Sequence, residues 1–407
     1  MARATWAAEL VSMIVDYIWG DEMQTVAVLG STGAIGTRTL EVIKALGDAV
    51  RVPVLVAGHN MVLLADQIKL FEPELVGVAD EEASRELLGL LGSKNKPAIV
   101  VGDEGLNVCA EYPTDVLVNA VMGARGIMPA LIAVRRGARL ALANKECLVA
   151  AGSFIMAEAE AAHAEIVPVD SEHCALFQAL LGGTPSEVER FILTASGGPF
   201  RLLDPEKLQQ VTVEDALQHP NWSMGKKITV DSATMMNKGL EVIEAHHLFA
   251  APYDKIEVLV HPQSIVHSMI EYVDGSVMAQ LATHDMRLPI QYALTYPERV
   301  SLPWPRLDFK TYNQLTFEEP NTDKFPALKL AVQAGCRGGY APCVLNAANE
   351  VAVDAFLSGV ISFVEISQTV ESTLEALGSG SPTSVDDVIA MDGQARDRAR
   401  AILMKGG

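Results

Sequence analysis

Residues 25–36 read Thr-Val-Ala-Val-Leu-Gly-Ser-Thr-Gly-Ala-Ile-Gly. The first five form a short apolar run that closes on Gly30, the pattern of a buried strand. Gly30, Gly33 and Gly36 make a GxxGxxG turn, and a helical pattern follows through Leu46. Strand, glycine turn and helix in that order predict the opening βα unit of a doubly wound sheet. Glycines there let the backbone turn tightly and approach a pyrophosphate, while the free N–H groups of the helix start face the anion. Gly30, Thr32, Gly33, Ala34 and Ile35 are therefore candidate dinucleotide contacts. A glycine turn without a ligand has the same composition, so the placement after the first strand carries the reading.

Moving outward, apolar runs at 52–57, 75–78, 98–101, 116–121 and 140–143 alternate with helical patterns. That rhythm predicts an α/β fold, with a Rossmann-like doubly wound parallel sheet over residues 23–165. NAD sites usually place a carboxylate at the end of the second strand. Here the chain reads Gly58-His59-Asn60, with no carboxylate to repel a 2′-phosphate, which favours NADPH; an ordinary surface loop is the alternative. From 166 the pattern changes. Strands are expected at 165–169, 191–194, 256–260, 265–273 and 276–281, with Asp274-Gly275 as a hairpin turn, and a helix is expected over 234–249. These predict a central α+β catalytic domain over 166–301. A Pro-rich linker spans 302–324, and helical patterns over 325–407 predict a C-terminal helical bundle.

Composition limits the partners. The chain of 407 residues is too long for one ordinary core. Hydrophobic residues make up 49% and charged residues 20%, a globular composition. The formal charge of −20, from 31 Lys and Arg against 51 Asp and Glu, argues against nucleic acid. The five cysteines form no CxxC and no metal-ligand spacing, which points to reduced thiols and a cytoplasmic location. No apolar run approaches the ~18 residues of a membrane span. Residues 1–22 form an extension. Trp6, Leu10, Met13 and Tyr17 recur in it at helical spacing, and Met23 stands just before the first strand. A short amphipathic helix and an early start codon both fit.

Several clusters carry chemistry. Asp170-Ser171-Glu172 follows an expected strand, on which Asp170 and Glu172 would point the same way. Paired carboxylates repel unless a cation lies between them, and all-oxygen ligation suits Mg²⁺ or Mn²⁺. A solvated acidic turn that caps a helix is the alternative. Asn237, Lys238 and Glu241 share one face of the expected helix, with Ser232 near its start. The hydroxyl, amide and ammonium suit a phosphate, and Glu241 could complete a metal site; a surface ion pair is the bland reading. Ser196, in Ser-Gly-Gly-Pro, offers an anion nest or a simple turn. Residues 217–227, with His219, Trp222 and Gly225, read as a mobile lid or as a loop whose Trp packs on its own domain. In Asn144-Lys145-Glu146, the Lys is placed to reach a substrate, against a capping turn. His246, His247, His261, His267 and His284 are read as structural.

GSTGAIG, ANKE, VDSEHCALFQ, TASGGPF, HPNWSMGKKITVDSATMMNKGLEVIEAHHLF, VHPQSIVHSM and LNAANEVAV occur in this order. From residue 25 onward the chain resembles the 1-deoxy-D-xylulose 5-phosphate reductoisomerase family. The resemblance implies NADPH-dependent rearrangement and reduction of that phosphosugar in non-mevalonate isoprenoid synthesis, a homodimer and inhibition by phosphonohydroxamates. It implies Asp170, Glu172 and Glu241 as metal ligands, and Ser196, Ser232, Asn237 and Lys238 as phosphate contacts. Lys145, Ser171, Glu172 and His219 would contact the sugar, with Trp222 in the lid. The NADPH site would add Gly58, His59, Asn60, Asn144, Glu146 and Gly225. His59 stands where the family commonly has Lys or Arg, and residues 1–22 have no counterpart. A metal-dependent phosphosugar isomerase lacks a use for the glycine loop. A non-catalytic dinucleotide sensor lacks a use for the carboxylates.

Overall fold

The computed structural model describes residues 23–92, 96–222 and 224–404; the reading of residues 1–22 lies outside them. The described residues begin with β1 (Gln24–Leu29), α1 (Ala34–Leu46), β2 (Val50–Val56), α2 (Met61–Phe71), β3 (Leu75–Val78), α3 (Glu81–Leu91), β4 (Ala98–Val101) and α4 (Gly102–Glu111). They continue through β5 (Val116–Asn119), α5 (Ile127–Arg135), β6 (Arg139–Leu142), α6 (Lys145–Ala162) and β7 (Ile166–Pro168). Then come α7 (Ser171–Ala179), β8 (Val188–Ala195), α8 (Val213–Ala216), α9 (Lys226–Thr234), α10 (Met236–Phe249), β9 (Ile256–Val260), β10 (Val266–Tyr272) and β11 (Val277–Leu281). Helices α11 (Arg287–Thr295), α12 (Pro326–Arg337), α13 (Ala341–Leu357), α14 (Phe363–Leu377) and α15 (Val385–Leu403) complete the order.

Two compact units divide the chain. The first comprises residues 23–144 with Glu158–Asp170 and Asp285–Pro305. Its seven-stranded parallel sheet has the order β4-β3-β2-β1-β5-β6-β7. Strand order reverses between β1 and β5, so the loop leaving β1 stands at the switch point where such sheets bind ligands. Val26, Ala27, Val28 and Leu29 are fully buried, as a central strand covered on both faces requires. Gly30 takes φ +85, and a Cβ there would lie 2.5 Å from the Ala120 carbonyl oxygen at the end of β5. Only glycine fits that approach.

Two expectations about boundaries are corrected in this fold. Residues 166–168 do not open the second domain: β7 pairs with β6 in the first sheet, where Val167 buries completely. A short apolar run needs a sheet edge, and β6 supplies one. Helix α11 also belongs to the first unit, tied by Arg287 to Glu41 at 3.5 Å and by the Gln24 amide to the Leu294 carbonyl at 3.3 Å. The stretch expected as a linker is irregular but fastened. Trp304 Nε1 donates to Gln291 Oε1 at 2.7 Å, and Val260 and Glu318 exchange backbone hydrogen bonds at 2.8 Å.

The second unit comprises Lys145–Ala157, Ser171–His284 and the residues from Arg306 onward. Its four-stranded sheet has the order β11-β10-β8-β9, antiparallel except for β8 with β9. The C-terminal helices do not stand apart as a separate domain. Met236, Leu240 and Ile243 of α10 share one core with Ala327 and Ala331 of α12, Val344 and Ala348 of α13, Val370 of α14 and Ala395 of α15. A Cβ at Gly239 would lie 2.4 Å from that of Ala331, so the absent side chain sets how closely α12 backs α10. The apolar stripe of α10 faces this bundle, which leaves Asn237, Lys238 and Glu241 on another face.

Candidate active site

Helix α7 begins at Ser171, directly after Asp170, which closes the Glu158–Asp170 segment of the first unit. The expected strand alternation of Asp170 and Glu172 is therefore replaced by a helix start. Within the second unit, Glu172 on the first turn of α7 meets α10. Lys238 Nζ donates to Glu172 Oε1 at 2.9 Å and also to Glu241 Oε2. Lys145, at the start of α6, donates to Glu241 Oε1 at 2.8 Å and to Asn237 Oδ1 at 3.0 Å. Ser171 Oγ donates to Glu172 Oε2, and Asn237 Nδ2 to Glu241 Oε1. The surface-pair alternative for Lys238 and Glu241 fails on burial, since their side chains are 4% and 1% exposed.

Charge balance sets the protonation states. Burial and the Glu241 charge push the Glu172 carboxyl up, but Lys238, the Ser171 hydroxyl and Lys145 outweigh them and hold it below the usual range. Burial works against the Lys238 ammonium, and Glu172 and Glu241 overcome it, so that group stays charged. The result is one buried and one half-buried carboxylate, Glu241 and Glu172, converging on one cationic centre.

Met235 adopts φ +65 between α9 and α10, so the helix expected over 234–249 starts at Met236, and a separate helix, α9, precedes it. Ser232 accordingly sits in the last turn of α9 rather than near the start of α10. The loop after β8 comes close to it: a Cβ at Gly198, which has φ +69, would lie 2.7 Å from the Ser232 carbonyl oxygen. That approach brings Ser196 and Ser232 onto neighbouring backbone. His219 Nδ1 accepts from the backbone N–H of Asn221 at 3.2 Å and of Trp222 at 2.9 Å. Nδ1 is thus unprotonated, and Nε2 donates to Ser196 Oγ at 3.0 Å. Burial pushes His219 down to about 4, against the pull of Glu172. Ser196 Oγ also accepts from Gly198 N at 3.2 Å, which leaves its proton available to a ligand.

Trp222 packs edge-on against His284 at 5.4 Å between ring centroids and lies 6.1 Å from His267. Asn221 donates to the Pro262 carbonyl at 2.7 Å and to Ser264 Oγ at 2.9 Å. The tryptophan expected as an exposed lid residue is therefore half-buried on its own unit. Gly225 is the residue before α9.

The first unit carries the remaining dinucleotide candidates. Gly33 precedes α1 with no side chain capping its N–H groups, and Thr32, Ala34 and Ile35 surround it. Asn60 Oδ1 caps α2 by accepting from Leu63 N at 3.2 Å. His59 is exposed, with Nδ1 3.8 Å from Asp80 Oδ2. Sequence reading found no carboxylate here because Asp80 arrives from the end of β3, one strand over. Asn144 is buried, and its Nδ2 donates to the Val121 carbonyl and, at 2.9 Å, to that of Gly123. In the second unit Glu146 turns to Lys227 at 2.7 Å. Sequence reading also missed Lys227, Asp231 and the fully buried His173–Glu244 pair, at 3.2 Å. The i, i+4 spacing of Lys227 and Asp231 was the one available signal.

One prediction follows from the histidines. Burial also holds His247 at about 4 and lowers His261 and His267. The unfolded chain binds these protons near 6.5, whereas in the folded chain His219 and His247 resist until about 4 and His261 and His267 are lowered in the same direction. Stability is therefore full above about pH 6.5 and declines as pH falls through that window. Thermal melts between neutral and acidic pH should show Tm falling from about pH 6.5 downward; a Tm that held steady would contradict the neutral assignment.

Comparison with known proteins gives one answer along the chain. The 1-deoxy-D-xylulose 5-phosphate reductoisomerase model matches residues 26–152, its C-terminal domain model matches 166–249, and a further DXP reductoisomerase C-terminal domain model matches 281–398. The reductoisomerase of Pelotomaculum thermopropionicum is 51% identical over 376 residues, 92% of this chain and 97% of that protein. That of Pelodictyon phaeoclathratiforme is 50% identical over 382 residues, 94% and 100% of the two chains. The Zymomonas mobilis enzyme, solved with NADPH, superposes with TM-score 0.88 at 43% identity over 94% of this chain and 99% of its own. A DOX-P reductoisomerase solved with NADPH, fosmidomycin and magnesium gives 0.88 at 38% identity, over 94% and 98%. No helix among the described residues is long and apolar enough to cross a membrane. By its ordered motifs, its fold and half-identical relatives matched over nearly their whole length, the chain belongs to the 1-deoxy-D-xylulose 5-phosphate reductoisomerase family.

Proposed function

We propose that the chain converts 1-deoxy-D-xylulose 5-phosphate to 2-C-methyl-D-erythritol 4-phosphate with NADPH and Mg²⁺ or Mn²⁺, in the non-mevalonate supply of isoprenoid precursors. The observation that carries this reading is the convergence of half-buried Glu172 and buried Glu241 on one ammonium, inside a family whose solved members hold NADPH, magnesium and fosmidomycin. The donor set fits a hard divalent cation: both groups are carboxylates, and Asp170, two residues from Glu172, adds a third. When bound, the ion supplies Lewis-acid polarisation of the keto and hydroxyl oxygens, and NADPH supplies the hydride.

The chain's own residues bind and orient. Ser171 and Lys145 hold the carboxylates in place; toward the sugar, Lys145 donates and the Ser171 hydroxyl oxygen accepts. The Ser196 hydroxyl, Ser232, Asn237 and Lys238 serve the phosphate. Lys238 now neutralises both carboxylates; with a divalent cation carrying that charge, its ammonium can face the phosphate. Neutral His219 fixes Ser196 through Nε2 and keeps Trp222 in place through Nδ1. Trp222 excludes water from the sugar, and holding the remote phosphate orients the reacting end. The glycine loop with Thr32, Ala34 and Ile35 takes the pyrophosphate. His59, with Gly58, Asn60, Asn144, Glu146 and Gly225, completes the NADPH site.

A homodimer is the proposed assembly. β11 is an edge strand exposing Val277 and Met278, a surface suited to a second copy. The five free cysteines fit a reducing cytoplasm.

The reaction is tested by NMR of the product. One NADPH should be consumed per branched C-methyl product formed, and fosmidomycin should stop both. Isomerised sugar without NADPH use would favour the metal-dependent isomerase, and NADPH binding without any product would favour the sensor.

A further inference from the structure

The segment LNAANEVAV on α13 has no part in the function proposed above, yet it carries two buried asparagines, and Asn349 turns toward α9. Asn346 and Asn349 are fully buried. Asn349 Nδ2 donates to Asp231 Oδ1 at 2.7 Å. Asp231 Oδ2 lies 2.9 Å from Lys227 Nζ, which in turn lies 2.7 Å from Glu146 Oε1. Beside this line runs a second. Glu350 Oε1 accepts from Asn346 Nδ2 at 2.9 Å, and its Oε2 from Arg396 on α15 at 2.7 Å. Arg396 also holds Asp392 at 2.6 Å. Burial opposes the charge on Lys227, and Asp231, Glu146 and Glu350 overcome it, so the ammonium is kept above its ordinary range.

Stability alone does not account for such a network. Buried ion pairs can often be replaced by packed apolar groups without loss, because desolvation offsets their attraction. The surrounding helices already bury an apolar core. What the network does fix is position. Lys227 stands two residues after Gly225, where α9 begins, and Glu146 directly follows Lys145, where α6 begins. One continuous set of contacts thus joins α13 to the two helix starts beside the Lys145–Glu241 pair.

We propose that Asn349 and Glu350 are positioning residues for the reaction, acting through Asp231 and Lys227 to fix Glu146 and the helix start that carries Lys145. This rests on the function proposed above. Asn349 reaches Lys227 through Asp231, and Glu350, held by Asn346 and Arg396, acts on the Lys227 ammonium through its charge.

The test uses the full chain with Asn349→Ala and Glu350→Gln, the latter keeping the size of the side chain while removing its charge. Val370→Ala, in the same helical core but on α14, serves as a control that loses stability without touching the network. For each, kcat and KM are measured at saturating metal, the NADPH dissociation constant is read by fluorescence quenching, and Tm is recorded. The two network variants should lose on the order of tenfold in kcat and bind NADPH more weakly, the scale expected when a reacting group is displaced from a distance. Val370→Ala should lower Tm and leave kcat near wild type. If both network variants change only in Tm, with kcat and NADPH affinity within about twofold of wild type, the proposal is overturned. Should the unmodified chain bind NADPH but not turn over, the functional reading fails, and the NADPH affinities still decide whether the network positions Glu146.

Discussion

Glu241→Gln should cost on the order of a thousandfold in kcat while NADPH binding is retained, the scale of removing one preorganised electrostatic group. Glu241 is fully buried and accepts from Lys145, Asn237 and Lys238. Glutamine keeps its size but carries no charge and turns a donor toward two ammonium groups. The substitution therefore removes a proposed metal ligand and loosens the two lysines that pair with it, which are also the proposed substrate contacts. The glycine loop lies in the other unit, so NADPH fluorescence quenching should persist. Circular dichroism would confirm that the variant folds. A folded Glu241→Gln protein with near-normal turnover would remove Glu241 from the metal site.

Lys238→Ala should show a different pattern. Its ammonium is the charge on which Glu172 and Glu241 converge. Breaking a buried pair by deleting one partner leaves uncompensated charge and costs roughly 3–5 kcal/mol. The variant should melt well below wild type in chelator, and Mg²⁺ should restore much of the loss, since a divalent cation supplies the missing charge. Substrate KM should rise tens of fold, as expected for losing charge-assisted contacts worth about 2 kcal/mol to a phosphate. An unchanged KM would argue against phosphate contact, and a Tm insensitive to Mg²⁺ would argue against cation binding by these carboxylates.

The parts of the fold that were legible in sequence have local causes. The β1 run and its glycine turn announced the Rossmann-like sheet, because strand burial and the φ of Gly30 are imposed on consecutive residues. The shared face of Asn237, Lys238 and Glu241 survived because helical spacing alone sets it. What failed depended on contacts across the chain. β7 was placed in the second domain because three apolar residues do not say which edge they pair with. The C-terminal helices looked like a domain because their shared core with α10 has no sequence signature. The break at Met235 was hidden because nothing in a methionine predicts a left-handed turn. Asp80, Lys227 and Glu244 acquire meaning only beside His59, Glu146 and His173, which lie far along the chain.

The central claim is that a metal held by the Glu172–Glu241 carboxylates makes this chain reduce a rearranged phosphosugar with NADPH. The direct measurement is NADPH absorbance in a mixture of purified chain, NADPH and 1-deoxy-D-xylulose 5-phosphate, titrated with Mg²⁺ or Mn²⁺ and then with chelator. The account predicts oxidation that requires both metal and substrate and stops on chelation. Undiminished oxidation in chelator, or none with metal, substrate and NADPH all bound, would contradict it.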